Sequence, residues 1–242
     1  MPQNKYEPIY HEIRNDILSG KIACGELIPS ENEYAQKFGV TRNTVRRAIS
    51  ILTSEGLVLP QHGRGVQVIW EPSNDHSIFT VGGIESFSEV AKRSNKKIQT
   101  SVITFKEITA DRKISEKTGF DEGTELYYIE RVRMIDDKAI VFDTNMFLKS
   151  ETAGLTPEIA GKSIYHFLEH DLGMTITTSR RRVMAELATK KDEELLSLGH
   201  LNFVLSVTGQ VFNSKGIMFE YTQSRHVPDQ VCFVVSAIRQ NI

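Results

Sequence analysis

The sequence FGVTRNTVRRAISILTSEG, residues 38–56, combines a basic first half with apolar residues at helical spacing. The basic residues are Arg42, Arg46 and Arg47, and no acidic residue occurs between positions 41 and 54. The apolar residues that recur every three or four positions are Val45, Ala48, Ile49 and Leu52. This spacing predicts a helix that buries one face and exposes the arginines on the other.

Exposed arginines alone are compatible with two interpretations, a solvated surface helix or a helix that contacts a polyanion. The segment before them favours the second. Ser30 and Glu33 form the S-x-x-E pattern of a capping box, which predicts a short helix that ends at Gly39. The long helix begins after Thr41, so a turn of about three residues joins the two helices. This order is typical of a helix-turn-helix, whose second helix contacts bases in the major groove.

The segment after the long helix supports the same interpretation. Residues 57–69 contain two short β-prone runs separated by QHGRG, which predicts a hairpin, or wing. His62 and Arg64 lie on either side of Gly63 at its tip. Glycine lets the backbone approach the sugar-phosphate chain closely, and an arginine at such a tip can enter a minor groove.

Together these segments closely resemble the winged helix-turn-helix signature of the GntR family of bacterial transcription regulators, across residues 6–69. The resemblance implies DNA contacts by the matching residues Asn32, Arg42, Arg46, His62, Gly63 and Arg64. At position 32 this chain has Asn where the family usually has an acidic or a basic residue. The predicted DNA-binding set is completed by Thr41, Asn43, Thr44 and Arg47.

The character of the sequence changes after residue 70. The polar segment EPSNDHS, residues 71–77, is typical of a domain boundary. Beyond it, strand-like and helix-like segments do not alternate one for one, so we predict an α+β fold with a mainly antiparallel sheet. We therefore expect a winged helix-turn-helix domain at 1–70, a linker at 71–79, and an effector-binding and dimerisation domain at 80–242.

An arginine pair stands out in the second domain. In ELYYIERVRMI, residues 125–135, Arg131 and Arg133 are two residues apart and therefore share a face of a strand. Two arginines on a face that a sheet normally fills with apolar residues can hold a phosphate dianion. A solvated face with cross-strand pairing to Asp143 is the alternative.

Two predicted helix starts offer further candidates for an anion site. Ser163 begins a helix after Gly161, where free backbone N–H groups and its hydroxyl favour an anion. An ordinary N-cap role for Ser163 is the alternative. Ser86 lies beside the second helix start, in GGIESFSEVAKRS at 82–94.

The second domain resembles the effector-binding (UTRA) domain of the HutC branch of the GntR family, which shares the chorismate lyase fold. The matching pieces are SFSE (86–89), RVR (131–133), SIY (163–165) and EYTQSRH (220–226). In sugar-phosphate-sensing members of the branch, the phosphate is bound at positions matching Ser86, Arg131, Arg133, Ser163 and Tyr165. The positions that face the sugar match Asp143, Glu220 and His226. Arg225 is a further polar group that can orient sugar hydroxyls.

Within the branch, the chain looks most like the regulators of trehalose operons in Gram-positive bacteria, which implies trehalose 6-phosphate as effector and no cofactor. Many members have Glu at 143 and Tyr at 226, where this chain has Asp143 and His226. An amino-sugar 6-phosphate as effector and activation instead of repression stay open as alternatives. We expect a homodimeric repressor on palindromic double-stranded operator DNA, because a two-fold protein matches a two-fold site.

An enzyme is the remaining alternative, since the second domain resembles a lyase fold. A fold does not carry a function by itself, and we find no convincing nucleophile–base pair. The run SRRR, residues 179–182, is compatible with a DNA or phosphate contact, but an edge strand or loop with solvated charges is favoured.

Composition argues against a disulfide-rich protein, a metal-binding protein and a membrane protein. The chain has 242 residues, a net charge of −2, 40% hydrophobic and 25% charged residues, all within the globular range. Cys24 and Cys232 are far apart and the histidines show no metal-binding spacing, so we predict neither a disulfide framework nor a metal site. No apolar run is long enough for a membrane span, so we expect a cytoplasmic protein without a membrane partner.

Overall fold

The computed structural model describes residues 5–71, 77–80 and 97–234. The chain divides into two compact units, Met1–Gly83 together with Phe233–Ile242, and Ile84–Cys232. Residues 72–76 of the predicted linker lie outside the described ranges.

The first unit begins with three helices and a hairpin. They are α1 (Glu7–Leu18), α2 (Glu31–Phe38), α3 (Arg42–Ser54), β1 (Val58–Gln61) and β2 (Gly65–Val68). The two strands pair antiparallel, with Val58 opposite Val68. The predicted order of helix, turn, helix and wing is confirmed.

The turn between α2 and α3 is fixed by local hydrogen bonds and by one glycine. Ser30 Oγ accepts a hydrogen bond from the Glu33 N–H at 3.3 Å, and the Glu33 carboxylate accepts one from the Ser30 N–H at 2.7 Å. Gly39 ends α2 with a φ of 62°, a left-handed conformation that glycine adopts without strain. Thr41 is the N-cap of α3, but its hydroxyl lies 3.1 Å from that of Thr44 and does not cap the backbone.

The helices and the hairpin of the first unit share one apolar core. Its helical members include Ile9, Ile13, Ile17, Val45, Ala48, Ile49 and Leu52. Burial of an aliphatic side chain of this size stabilises the fold by about 1.5–3 kcal/mol. The buried stripe of α3 therefore holds this helix in place and leaves its arginine face exposed.

The second unit is built on a six-stranded antiparallel sheet. β3 (Ser77–Thr80) lies within the bounds of the first unit. The strands of the six-stranded sheet are β4 (Ile98–Thr109), β5 (Glu125–Ile135), β6 (Lys138–Leu148), β7 (Ile176–Leu187), β8 (Phe203–Asn213) and β9 (Met218–His226). Their order across the sheet is β4-β5-β6-β9-β8-β7. β3 and β10 (Val231–Val234) form a separate two-stranded sheet. The predicted antiparallel α+β fold is confirmed.

Helical segments connect the strands. They are α4 (Arg112–Thr118), α5 (Pro157–Ala160), α6 (Ile164–His166) with its π-helical continuation Phe167–Asp171, and α7 (Lys190–Leu195). The turn between β5 and β6 contains Asp136 and Asp137, both with positive φ, as a tight hairpin requires. SRRR lies in β7, at one edge of the sheet, as the favoured prediction has it.

The two faces of the sheet pack against different segments. On one face Ile129 and Phe147 contact Ile164 and Leu168 of the α6 region. On the other, Val132 and Phe142 pack against the segment that includes Leu196. Because side chains alternate along a strand, neighbouring residues of β5, β6 and β9 face different surroundings.

Candidate DNA-binding surface and effector site

The arginine face of α3 is exposed as predicted. The side chains of Arg42 and Arg46 are 57% and 56% accessible to solvent. They lie one helical turn apart, opposite the buried Val45 and Leu52. Asn32 and Asn43, the neighbouring predicted contacts, are exposed as well. These four exposed side chains therefore place several hydrogen-bond donors on one surface of the first unit.

One carboxylate joins the two arginines. Glu31, the first residue of α2, accepts hydrogen bonds from Arg46 Nε at 3.0 and 2.9 Å. It also accepts from Arg42 Nε and Nη2, each at 3.4 Å. The hydrogen bond from Arg46 is the main reason that the pKa of Glu31 lies below its usual value. Glu31 thus holds both guanidinium groups over the start of α3, a role that the sequence pattern did not indicate.

Arg47 differs from the other two arginines. Its guanidinium carbon lies 4.4 Å from the centre of the Tyr6 ring, a cation–π geometry. Tyr6 is the residue before α1, so this contact ties α3 to the start of the chain. Arg47 is exposed like the other two arginines, and this contact holds its guanidinium against the Tyr6 ring.

The wing exposes its predicted tip. His62, Gly63 and Arg64 form the turn between β1 and β2, and all three are exposed. The Arg64 N–H donates to the Gln61 carbonyl at 3.1 Å and closes the turn. Gly63 and Gly65 have φ values of 72° and 112°, which other residues adopt only with strain. The turn therefore holds Arg64 at the end of the hairpin.

A second charged cluster is buried on the α6 face of the sheet in the second unit. Its ionisable members on β5, β6 and β9 are Arg131, Arg133, Asp143, Glu220 and His226. Asp143 lies on β6, the strand between β5 and β9, and is paired with Arg131 of β5 and Ser224 of β9. Arg131, Asp143 and Glu220 are each only 3% exposed. The solvated-face alternative is therefore wrong for Arg131, while its cross-strand pairing to Asp143 is confirmed.

Arg131 is held by neutral groups as well as by charge. Its Nη2 donates to Asn145 Oδ1 at 2.9 Å, and its Nη1 donates to the Ala160 carbonyl at 3.3 Å. Its Nη2 lies 3.8 Å from Asp143 Oδ2, and its buried Nε has no hydrogen-bond partner in the structure. Burial, with the nearby Arg133 charge, lowers the pKa of Arg131 to about 10, so it remains a cation at neutral pH.

Asp143 balances part of this positive charge. Its carboxylate pairs closely with Arg133 Nε and accepts a hydrogen bond from Ser224 Oγ at 2.6 Å. Burial alone raises the pKa of Asp143, but Arg133 and Arg131 outweigh burial and hold the pKa below its usual value. Asp143 is therefore ionised, and it faces two guanidinium groups.

A second carboxyl group, Glu220, belongs to the hydrogen-bonded floor of the cluster, which Asn145, Thr222 and Glu220 form on this face of the sheet. Glu220 accepts hydrogen bonds from Tyr165 Oη at 2.7 Å and from Asn145 Nδ2 at 2.9 Å. Burial raises the pKa of Glu220 above its usual value. Since Asn145 also contacts Arg131, one chain of hydrogen bonds runs from Arg131 to Tyr165. These hydrogen bonds hold the donors and acceptors of the cluster in place.

His226 lies at the end of β9 on the same face, opposite Val141 of β6. Burial lowers the pKa of His226 to about 4, while the Asp143 charge acts to raise it and the Arg133 charge acts to lower it further. The imidazole is therefore neutral at neutral pH, and it can act as a polar group that donates one hydrogen bond and accepts another.

The structure does not bring Arg225 into this cluster. Its Nε donates to Asp192 Oδ1 at 2.9 Å, and its Nη2 donates to the Leu187 carbonyl at 3.0 Å. It also pairs closely with Glu186. Because Arg225 is adjacent to His226 on a strand, its side chain points to the other face. The expectation that Arg225 orients the ligand is corrected accordingly: it fixes β9 to the segment around α7.

The predicted phosphate-binding serines have different outcomes. Ser163 is the N-cap of α6 and accepts the His166 N–H at 3.3 Å, the ordinary cap role. With Lys162 and Phe167 it also lines an open cavity of about 520 Å³. Ser86 lies outside the described residues, so its predicted role stays a prediction.

Three site residues were missed by sequence reasoning. Asn145, Thr222 and Ser224 contribute hydrogen bonds to the same floor. The sequence contained a signal for them. Asn145 is two residues from Asp143, and Thr222 and Ser224 follow Glu220 at steps of two toward His226, so all of them share one face of their strands. Within the described ranges, no group of three or more His, Cys, Asp or Glu side chains is arranged to hold a metal ion.

Two family models match the chain. The model described as bacterial regulatory proteins, gntR family, matches residues 5–68, and the UTRA domain model matches residues 93–231. The HTH-type transcriptional regulator TreR of Bacillus subtilis (strain 168) is 31% identical over 239 residues, which cover 99% of each chain. The similarity therefore extends through both units.

Solved structures agree with this result. The possible transcriptional regulator YydK from Bacillus subtilis subsp. subtilis str. 168 superimposes with a TM-score of 0.82 at 20% identity, over 95% of this chain and 99% of that one, which shows a common fold. The effector-binding domain of the B. subtilis trehalose repressor TreR matches with a TM-score of 0.54 at 30% identity. That match covers 59% of this chain and 99% of that domain. No helix among the described residues is both long and apolar enough to span a membrane.

Proposed function

This chain belongs to the GntR family of bacterial regulatory proteins, with a UTRA domain, and we propose that it is a repressor whose operator affinity a phosphorylated sugar lowers. The family and the similar proteins are transcriptional regulators and not enzymes. GntR regulators bind operator DNA. The proposal concerns the direction of control, the effector and the assembly.

For the output, the exposed face of α3 and the tip of the wing support DNA contact. Arg42 and Arg46 suit base edges in the major groove, since a guanidinium can donate two hydrogen bonds to one guanine. Arg64 suits the sugar-phosphate chain or a minor groove. Two copies of such a surface in a homodimer would match a palindromic operator.

For the input, one observation carries the proposal, the burial of Arg131 and Arg133 around a single ionised carboxylate. Two cations face Asp143, and the pKa of the next carboxyl group, Glu220, is raised. A buried excess of positive charge is costly unless an anion binds there. A phosphate ester supplies a dianion with oxygens that match guanidinium geometry.

The sugar end of such a ligand finds polar groups of the right kind. Glu220, Asn145 and Tyr165 form a fixed row of acceptors and donors beside the arginines. Sugar hydroxyls both donate and accept, and they therefore suit such a row better than an apolar ligand does. The full-length similarity to TreR, together with the solved structure described as a trehalose repressor domain, favours trehalose 6-phosphate.

Control requires a difference in affinity between two states. The effector must bind more tightly to the form with low operator affinity. A 100-fold loss of operator affinity corresponds to about 2.7 kcal/mol of coupling between the two sites. By reciprocity, operator DNA must weaken effector binding by the same factor.

The test is a fluorescence anisotropy titration of the full chain with a duplex that it selects from a randomised DNA pool. Trehalose 6-phosphate is expected to release the duplex, while unphosphorylated trehalose is not. Glucosamine 6-phosphate tests the amino-sugar alternative in the same assay. Operator affinity that stays constant with every sugar phosphate would overturn the proposal.

Arg131→Ala connects this assay to the site. Loss of one partner in a buried charged hydrogen-bond network costs about 2–5 kcal/mol, so the effector concentration for release should rise by at least 30-fold. Arg112→Ala is the matched control, because Arg112 is an exposed arginine on α4 whose pair with Glu116 is also exposed. Equal responses of both variants would show that Arg131 does not bind the effector.

A further inference from the structure

We propose that Ser179 and Arg181, on the edge strand β7, form a second part of the effector site that binds hydroxyls of the sugar ring farther from the phosphate. This inference rests on the proposed function and deepens it. It adds two residues of the basic run SRRR, which on the sequence alone favoured a solvated edge.

Strand register places the two residues in line with the described site. Arg181 lies opposite Gly209 on β8, and Gly209 lies opposite Thr222 on β9. Thr222 in turn pairs with Asn145 of β6. Residues that are paired in register share a face of the sheet. Arg181 therefore belongs to the same face as the hydrogen-bonded floor formed by Asn145, Thr222 and Glu220.

Gly209 opens the space between Arg181 and that floor. A Cβ atom built on Gly209 would lie 3.2 Å from Thr222 Cγ2 and 3.5 Å from Arg181 Cγ. Its φ is not in the left-handed range, so the backbone does not require glycine there. Glycine inside a strand often marks a close approach by another group. Here it lets the stem of Arg181 lie over β8 toward Thr222.

The groups at this end suit sugar hydroxyls. Arg181 Nε donates to Ser179 Oγ at 3.3 Å, and the guanidinium carries further donors. The Ser179 hydroxyl both donates and accepts. Tyr165 and Glu220 continue the row, with the phenol donating to the carboxyl at 2.7 Å. A carboxyl group in this position favours hydroxyl donors over a second phosphate.

Electrostatics support the same arrangement. Burial and Glu220 raise the pKa of Tyr165 well above its usual value, while Arg181 and Arg131 act to lower it. Both arginines are therefore close enough to influence one phenol. Their strands are four spacings apart in the sheet, about 19 Å between backbones, and Tyr165 bonds Glu220 of β9, which lies between them.

The consequence concerns ligand size. A monosaccharide phosphate bound at Arg131 and Arg133 would leave the β7 end without a partner. A disaccharide phosphate can place its second ring against Ser179 and Arg181. These two residues should therefore determine the preference for a phosphorylated disaccharide.

The test is isothermal titration calorimetry of the full chain with trehalose 6-phosphate and with glucose 6-phosphate. Arg181→Ala should weaken trehalose 6-phosphate binding about tenfold or more, since it removes hydrogen bonds from a charged donor. Its effect on glucose 6-phosphate should be less than about twofold, because that ligand lacks the second ring. Arg182→Ala is the matched control, since Arg182 is exposed and faces the other side of the same strand.

A second variant tests the same two residues without removal of a charge. Gly209→Ala should also weaken trehalose 6-phosphate selectively, because the new methyl group would crowd Arg181 and Thr222. Trehalose 6-phosphate binding by Arg181→Ala that equals that of Arg182→Ala would overturn the inference and leave the proposed function intact. An equal loss for both sugar phosphates would also overturn it, since Arg181 would then act on the phosphate. A wild-type chain that binds neither ligand would rule out trehalose 6-phosphate as the effector, and this inference with it.

Discussion

Each of the two units places two arginines around one carboxylate, but one of these clusters is exposed to solvent and the other is buried. On the candidate DNA-binding surface, Arg42 and Arg46 share Glu31, and the arginine side chains are more than half exposed. In the second unit, Arg131 and Arg133 share Asp143, and their side chains are only 4% and 14% exposed. The motif is similar, but its energetics differ because the solvent differs.

The difference matches the ligands proposed for the two clusters. Exposed charges are screened by salt and cost little to rearrange, which suits a polyanion that is bound and released as salt and sequence vary. Buried charges cannot rearrange cheaply, and their positions are fixed by Asn145, Ser224 and the Ala160 carbonyl. A rigid, water-poor cluster suits one small anion of defined shape.

The largest expected difference between the clusters is in stability. Asp143→Asn removes the buried charge and keeps the shape, so Arg131 and Arg133 lose their shared counterion. Breaking a buried ion pair from one side costs about 3–5 kcal/mol. Urea denaturation of the full chain measures this loss, with the exposed Asp121→Asn as control. Inorganic phosphate should restore part of the lost stability. A loss of stability in Asp143→Asn as small as that in Asp121→Asn would contradict the proposed difference between the buried and the exposed cluster.

The pH dependence of His226 is the next effect in size. Its pKa is lowered from 6.5 to about 4 in the folded chain, so the unfolded chain binds the proton more tightly. The contribution of neutral His226 to the free energy of unfolding is therefore fully present above pH 6.5. It is lost as the pH falls toward 4, by up to about 3 kcal/mol. Denaturation curves between pH 4 and pH 7 check this. His226→Gln should flatten the dependence, and an unchanged slope in that variant would assign the effect to another group.

On the exposed side, the expected effects concern operator affinity. Arg42→Ala should cost about 1–3 kcal/mol and relax the preference at one base position if Arg42 contacts a base. Arg47→Ala should affect DNA binding less, because its guanidinium is held against the Tyr6 ring. Anisotropy titrations against the selected duplex and single-base variants of it compare the two. A uniform loss across all sequences for Arg42→Ala would indicate a phosphate contact instead.

Glu31→Gln gives the smallest expected change in stability and completes the comparison with Asp143. Exposed ion pairs contribute about 0–1 kcal/mol, so unfolding should change by no more than that. Removal of one negative charge from the candidate DNA-binding surface should raise the affinity for DNA of random sequence. The ratio between the affinities for the selected duplex and for random DNA should therefore fall. Glu116→Gln, on α4, is the control for a removed exposed carboxylate. A cost near that of Asp143→Asn would remove the distinction between the two clusters.

The first unit could be predicted from local sequence in most respects. The capping box at Ser30, the glycine at 39 and the stripe of α3 act over a few residues, so their structural consequences can be inferred without knowing the tertiary fold. Glu31 could not be assigned in the same way. Its contact with Arg46 spans 15 positions and depends on how α2 and α3 pack.

In the second unit, alternation along β5 predicted correctly that Arg131 and Arg133 share a face. Alternation also contained the answer for Arg225, because a neighbour of His226 must point the other way. The residues that complete the cluster belong to strands whose order, β5-β6-β9-β8-β7, does not follow the chain. Asn145 and Arg181 could be connected to Arg131 only once that order was known.

The sequence by itself determined the helices, the wing, the strands and the pairs of arginines, because these depend on spacing and on local hydrogen bonds. Only the tertiary structure decided which arginines are buried, which carboxylate balances each pair, and which residues of distant strands lie side by side. The physical reason is that burial and charge pairing depend on distances between segments far apart in the chain. Such distances are set by packing and strand order, and two arginines of identical chemistry therefore acquire different roles.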